Sequence, residues 1–167
     1  MSGASAILDG VTVVELAEGI AGPYCGQILS DLGARVIKVE RPGMGDDSRV
    51  FGPPFLKTRD GKDLRQSAMY LCANRNKRSV TADFAKPEGR ELILALAEKS
   101  DIFIENFLPG TTEEMGIGYG TVCSRNPRII YCSVTGFGPD GPYRDRAGYD
   151  LAVSALGGLM GITGETN

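Results

Sequence analysis

The sequence predicts an open, mostly parallel α/β sheet, and three observations carry that expectation. Short apolar, β-branched runs recur along the chain, as buried strands do. They alternate with segments of helical character, which indicates strands and helices in one layered α/β domain. The first two runs are joined through one helix by short connections, so their strands should be parallel.

That first unit covers residues 11–41. V-T-V-V-E-L reads as a strand over residues 11–16, and Gly19 and Gly22 follow as a loop. Pro23 suits the first helical position, where its missing N–H costs nothing. Ile28, Leu29 and Leu32 give the helix its apolar face. Gly33 suits the residue just past the helix, where a positive φ is wanted. Val36, Ile37 and Val39 begin the second strand, residues 36–40. Ligands of such sheets bind beyond the carboxyl ends of the strands. That puts residues 17–23 and 41–43 on the binding edge.

Residues 41–61 form a long connection rich in Gly and Pro, of the kind that is functional or mobile. An apolar patch returns at residues 69–72. N-R-N-K-R-S, residues 74–79, leads into a strand at 79–83. Pro87 opens a helix to about Lys99, with Leu92, Ile93, Leu96 and Ala97 as its buried stripe. Residues 102–106 form a strand ending at Pro109-Gly110. A broken helical segment covers 112–124, and residues 129–134 make the fifth strand. Residues 148–160 read as a helix despite Gly157 and Gly158, and that helix is apolar on most sides.

The 167 residues suit one domain, residues 1–167, with a real core. A net charge of −3 gives no general reason for nucleic acid or an anionic membrane as partner. No apolar run approaches the roughly 20 residues of a membrane span. The first residues carry neither signal-peptide nor mitochondrial-targeting character. Cys25, Cys72, Cys123 and Cys132 form no C-x-x-C pair and read as reduced packing thiols. A cytoplasmic location is therefore expected, or a mitochondrial one if a presequence has been removed. The chain has no histidine, which removes His triads and His metal sites, and no metal is expected.

Four stretches could carry chemistry. G-x-x-G-P at residues 19–23 is not the G-x-G-x-x-G of dinucleotide sites, although Glu40 lies near the usual ribose-binding acid. It reads as a tight turn under the helix, or as a helix N-terminus facing a phosphate. Arg75, Lys77 and Arg78 make either a solvated cationic loop or an anion site. E-N-F-L-P-G, residues 105–110, ends a strand on the binding edge. Asn106 can donate and accept there, and Phe107 can offer a flat face, or both can simply build a turn. T-G-F-G-P-D-G-P, residues 135–142, is a turn or a close approach of backbone to a ligand.

Taken in order, L-D-G-V-x-V-V-E-L, A-G-P, D-L-G-A-R-V-I-K-V-E-R-P-G-x-G-D, N-R-N-K-R-S, K-P-E-G, E-N-F-x-P-G, M-G-I-G-Y, N-P-R-I-I-Y-C-S-V-T-G-F-G and A-G-Y-D-L…G-G-L-M-x-I-T-G resemble the amino-terminal part of a family III CoA-transferase. The resemblance covers essentially everything after Ala6, and D-D-S-R-V-F-G-P-P-F is most similar to the succinate–glutarate branch. It implies a Rossmann-like CoA-binding domain. Coenzyme A or acyl-CoA is then the substrate, a small carboxylic acid the second one, and the full-length protein a homodimer. The matching CoA-contacting positions are Ile20 and Ala21 through their backbone, Arg41 at the nucleotide phosphate end, and Asn106, Phe107 and Leu108. Glu114 stands where some members have a basic residue just before M-G, which weakens one nucleotide contact. The family mechanism passes through an aspartyl-CoA thioester. Its aspartate follows I-T-G and would lie beyond Asn167, so no catalytic residue is assigned here. The related α-methylacyl-CoA racemases carry His at the position of Tyr149, and abstraction of an α-proton needs such a base. Transfer is therefore favoured over racemisation. A non-catalytic CoA- or partner-binding module is the third reading.

Overall fold

A computed structural model describes residues 6–164. The first and last few residues of the expected 1–167 domain lie outside that range. The main sheet has five strands: β1 (Thr12–Leu16), β2 (Arg35–Glu40), β5 (Arg78–Thr81), β6 (Ile102–Glu105) and β7 (Ile130–Ser133). Their order is β5-β2-β1-β6-β7, and every pairing is parallel. All five expected strands are present, each within two residues at either end. Helices α1 (Ala21–Asp31), α3 (Pro87–Glu98), α4 (Thr111–Glu114) and α5 (Tyr119–Arg125) fill the crossovers, so the sheet is α/β and open.

Alternation along each strand divides the core between two faces. Val14, Leu16 and Phe103 point into one apolar cluster with Ile93, Leu94 and Ala97 of α3 and Val122 of α5. Val13, Ala17, Val36 and Ile104 point into the other, against Cys25 and Leu29 of α1.

The expected helix stripes need correction. On α1 the buried residues are Gly22, Pro23, Gly26, Gln27 and Ser30. Ile28 is 46% exposed and Leu32 39%. The reason lies beneath the helix: a would-be Cβ on Gly26 would meet the Glu15 carboxylate, so only small or polar residues fit on that side. Pro23 is the third helical residue, not the first. Gly33 does sit just past the helix, with φ +104°. On α3 the buried stripe is Gly89, Ile93, Leu94 and Ala97, and Leu92 is exposed.

The long 41–61 connection is more structured than expected. It holds a 3₁₀ turn at Asp47–Val50 and the strand β3 (Phe55–Lys57), which pairs antiparallel with β4 (Asp63–Ser67). Helix α2 (Ala68–Asn74) follows, capped by the Ser67 side chain, and contains the 69–72 patch. The first half of the connection is anchored by polar groups, Asp46 and Ser48, both buried. The 112–124 segment is two short helices. The 148–160 helix is also two, α6 (Asp150–Leu156) and α7 (Leu159–Ile162), broken where Gly158 takes φ +79°. Leu151, Leu156, Leu159, Met160 and Ile162 on them are all exposed.

Candidate functional site

The sheet order places β1 between β2 and β6, so the chain changes direction between β1 and β6. The crevice beyond their carboxyl ends is the expected ligand position. The loops after these two strands are tied together there by one side chain. Asn106 Oδ1 accepts from Glu18 N at 2.9 Å, and Asn106 Nδ2 donates to Glu18 O at 2.7 Å. Gly22 packs into the same joint: a Cβ on it would lie 2.5 Å from Ala17 Cβ and 3.2 Å from Asn106 Cβ. Helix α1 therefore starts directly beside Asn106. Ile20 is its N-cap, with no side-chain capping bond, and Ile20 and Ala21 are exposed on the binding edge. Backbone N–H groups of such a helix start suit an anion.

Arg41 leaves the end of β2 toward this joint. Its Nε donates to Glu18 Oε1 at 2.9 Å, and its Nη2 donates to Glu18 Oε2 at 3.0 Å and to Asp47 Oδ1 at 2.5 Å. Burial pushes the Glu18 carboxyl up. Arg41 opposes the rise, and Asp47 and Asp46 add to it. On the other side, Phe107 meets Phe84 edge-to-face at 6.2 Å, and Leu108 is half exposed. Phe107 N donates to Glu105 Oε2 at 2.8 Å. Burial pushes the Glu105 carboxyl up as well, against bonds from Ser133 and Phe107 N.

A groove of about 260 Å³ opens between the ends of β2 and β5, lined by Arg41, Pro42, Met44, Asp83, Phe84 and Ala85. A second of about 260 Å³ lies across the 43–45 turn, with Glu40, Arg49 and Ser79 in its wall. Thus Ile20, Ala21, Arg41 and Asn106 converge on one joint, while Phe107 and Leu108 lie on its flank. Sequence reasoning put Glu18 on this edge without its pairing to Arg41, and missed Met44 and Phe84. Phe84 lies just past β5, so the carboxyl-end rule applied to that strand would have found it.

Beneath the joint is a buried ionic cluster. Lys38 and Glu15 are register partners on adjacent strands. Lys38 Nζ donates to Glu15 Oε1 at 3.0 Å and Ala17 O at 2.6 Å and contacts Asp46 Oδ2 at 2.7 Å, which uses its three donors. Asp46 Oδ1 accepts from Gly19 N, Ser48 N and Ser48 Oγ at 3.0, 2.8 and 2.6 Å. Lys77 Nζ contacts both Glu15 oxygens, at 3.0 and 2.7 Å, and donates to Pro23 O at 2.7 Å. Burial pulls the Lys77 ammonium down to about 8, with Glu15 opposing. The cluster fixes the β1 loop and the first turn of α1 from below.

This changes the reading of N-R-N-K-R-S. Lys77 is committed to Glu15, and Arg75 pairs with Asp31, so two of the three cations of the run are held by carboxylates of the chain itself. The Glu40 carboxylate is engaged too. It accepts from Arg49 Nε and Nη2, Ser79 Oγ, Tyr70 OH and Asp46 N. Burial raises its pKa, but those bonds outweigh it and hold the group at about 2. A ribose hydroxyl would have to displace them. Among the described residues, no group of three or more His, Cys, Asp or Glu could hold a metal, and no helix is long and apolar enough to cross a membrane. The four cysteines are free thiols.

Fold and joint together define an open parallel α/β domain whose topological switch point lies between β1 and β6, bridged by Asn106, with its grooves beside it at the ends of β2 and β5. The model of CoA-transferase family III matches residues 8–167, and the chain belongs to that family. It is 49% identical to a succinate–glutarate CoA-transferase of Agrobacterium fabrum, over 95% of this chain and 39% of the relative. It is 48% identical to the succinyl-CoA:glutarate CoA-transferase of Homo sapiens, over 96% of this chain and 35% of that protein. The fold of a CAIB/BAIF family protein from Brucella suis superposes with a TM-score of 0.89 at 50% identity, over 96% of this chain and 42% of that one. The chain thus spans about two fifths of the length of these relatives.

Proposed function

We propose that this chain is the CoA-binding part of an enzyme that moves CoA between carboxylic acids. The observation that carries it is the joint of Asn106, Arg41, Ile20 and Ala21 at the switch point of a family III chain. In this reading the start of α1 and Arg41 meet the phosphates of CoA. The side of Phe107 and Leu108, continuous with the Phe84 groove, meets its apolar and ring portions. In the mechanism the resemblance implies, an aspartate carboxylate attacks the donor thioester to give a mixed anhydride and CoA thiolate. The thiolate attacks the aspartyl carbonyl, the donor acid leaves, and CoA is held as an aspartyl-CoA thioester until the acceptor acid takes it by the reverse steps, which divides one exchange into easier displacements. By resemblance the aspartate follows I-T-G beyond Asn167, so the described residues bind and orient, and the nucleophile comes from elsewhere. The names of the relatives favour succinyl-CoA as donor and a dicarboxylic acid such as glutarate as acceptor. A homodimer is the proposed assembly of the full-length protein.

Calorimetry with CoA, paired with a coupled assay using succinyl-CoA and glutarate, tests this. The expected result is saturable CoA binding without turnover by the 167-residue chain. Absence of binding would remove the site assignment, and turnover by this chain alone would remove the missing-nucleophile part.

A further inference from the structure

Arg41 does not wait for a ligand with its donors open. Glu18 takes its Nε and Nη2 as a bidentate pair, and Asp47 takes Nη2 from the other side. Two carboxylates on one guanidinium leave the group with a local excess of one negative charge. An anion arriving at Arg41 therefore meets a position already held by anions. The holders differ in setting. Asp47 is about half exposed, while the Glu18 side chain is 24% exposed and is fixed from behind by Asn106 through its own backbone. The charged groups facing Glu18 are Arg41, Asp46 and Asp47, all from the connection after β2.

Resting on the reading of Arg41 as a phosphate contact, we propose that Glu18 and Asp47 are built-in competitors for Arg41, and that a ligand phosphate takes over the guanidinium as Glu18 accepts a proton. The reason is electrostatic. Once phosphate replaces it on Arg41, the Glu18 carboxylate has lost its cation and gained a nearby anion beside two aspartates. Each of these changes disfavours its charged form. Its partial burial acts in the same direction before any ligand arrives. Asp47 is solvated and can turn outward without protonation. Glu18 is therefore a specificity-determining residue: it makes binding selective for strongly charged phosphate over weak anions and couples it to pH. The proton balance is simple, one proton passing from solvent to a Glu18 oxygen as the Arg41 bonds exchange acceptors.

The test uses the 167-residue chain, CoA, and calorimetry near pH 6 in two buffers of different ionisation enthalpy, which yields protons taken up per CoA bound. The CoA phosphomonoester itself titrates near pH 6. The quantity read is therefore the difference between wild type and Glu18→Gln. The expected result is greater proton uptake by wild type. Glu18→Gln should also bind about two- to fivefold more tightly at neutral pH, the range for removing one exposed ion-pair competitor, with the gap closing as pH falls. Asp47→Asn should tighten binding without changing proton uptake. Equal proton uptake in wild type and Glu18→Gln overturns the proposal. So does weaker binding by Glu18→Gln, which would make Glu18 a support for Arg41 rather than its competitor. No binding by wild type or either variant overturns the CoA-site reading itself, a different result from binding without proton linkage.

Discussion

Gly26→Ala separates what local propensity and the tertiary structure expect. Residue 26 lies inside α1, where Ala is favoured over Gly by about 1 kcal/mol. In the fold, an added Cβ would sit 1.8 Å from Glu15 Oε2 and 3.4 Å from Lys77 Nζ. A glutamate tip can usually swing aside. This one is fully buried, with Oε1 held by Lys38 and Lys77 and Oε2 by Lys77. Moving it breaks buried charge pairing, a loss of about 3–5 kcal/mol. With the propensity gain subtracted, the variant should be about 2–4 kcal/mol less stable. Gly120→Ala in α5 is the control, because nothing lies within 4 Å of its added Cβ and its φ is not positive. It should gain about 0.5–1 kcal/mol. Urea denaturation followed by circular dichroism reads both. If Gly26→Ala were as stable as wild type, or if both variants shifted the same way, the assigned packing of α1 on Glu15 would be wrong.

Arg41→Ala should weaken CoA binding about tenfold at low salt. That is the low end of the loss for a charge-assisted bond, because Arg41 also gives up Glu18 and Asp47 when it takes a phosphate; titration calorimetry checks it. Glu40 contributes to acid stability: its folded pKa of about 2 lies below its ordinary 4.5, so its contribution is complete above 4.5 and is lost as pH falls toward 2. Over that range wild type should lose about 3 kcal/mol more than Glu40→Gln, read from denaturation midpoints at stepped pH. The exposed apolar residues of α6 and α7 should drive self-association of this chain. Light scattering across a concentration series should show mass rising with concentration, and Leu156→Glu with Leu159→Glu should reduce it; a monodisperse monomer at high concentration would contradict this.

The sequence alone determined the sheet. Short β-branched runs spaced by helices leave a parallel α/β arrangement as the natural solution, and the five strands fall where those runs lie. It also put residues 17–23, 41–43 and 106–110 at one end of the sheet, because in a parallel sheet the residues that follow each strand must gather there. Ile20, Ala21, Arg41 and Asn106 were reachable by that rule and by resemblance. Gly33 was legible for a local reason, since a positive φ past a helix is a demand on one residue. Only the tertiary structure decided which charges are buried and which face the ligand. Lys77 sits in a run of cations that reads as a solvated loop, yet it lies beneath α1 because Glu15, 62 positions earlier, needs a partner there. Lys38 and Glu15 meet through strand register, and Asp46 joins them from a loop that looks unstructured as a string. That cluster also turns α1, placing Gly26 inward over Glu15 and Ile28 and Leu32 outward while Leu29 keeps its core contact. Electrostatic pairing at low dielectric depends on distances between residues far apart in the chain, and no local pattern of residues encodes those distances.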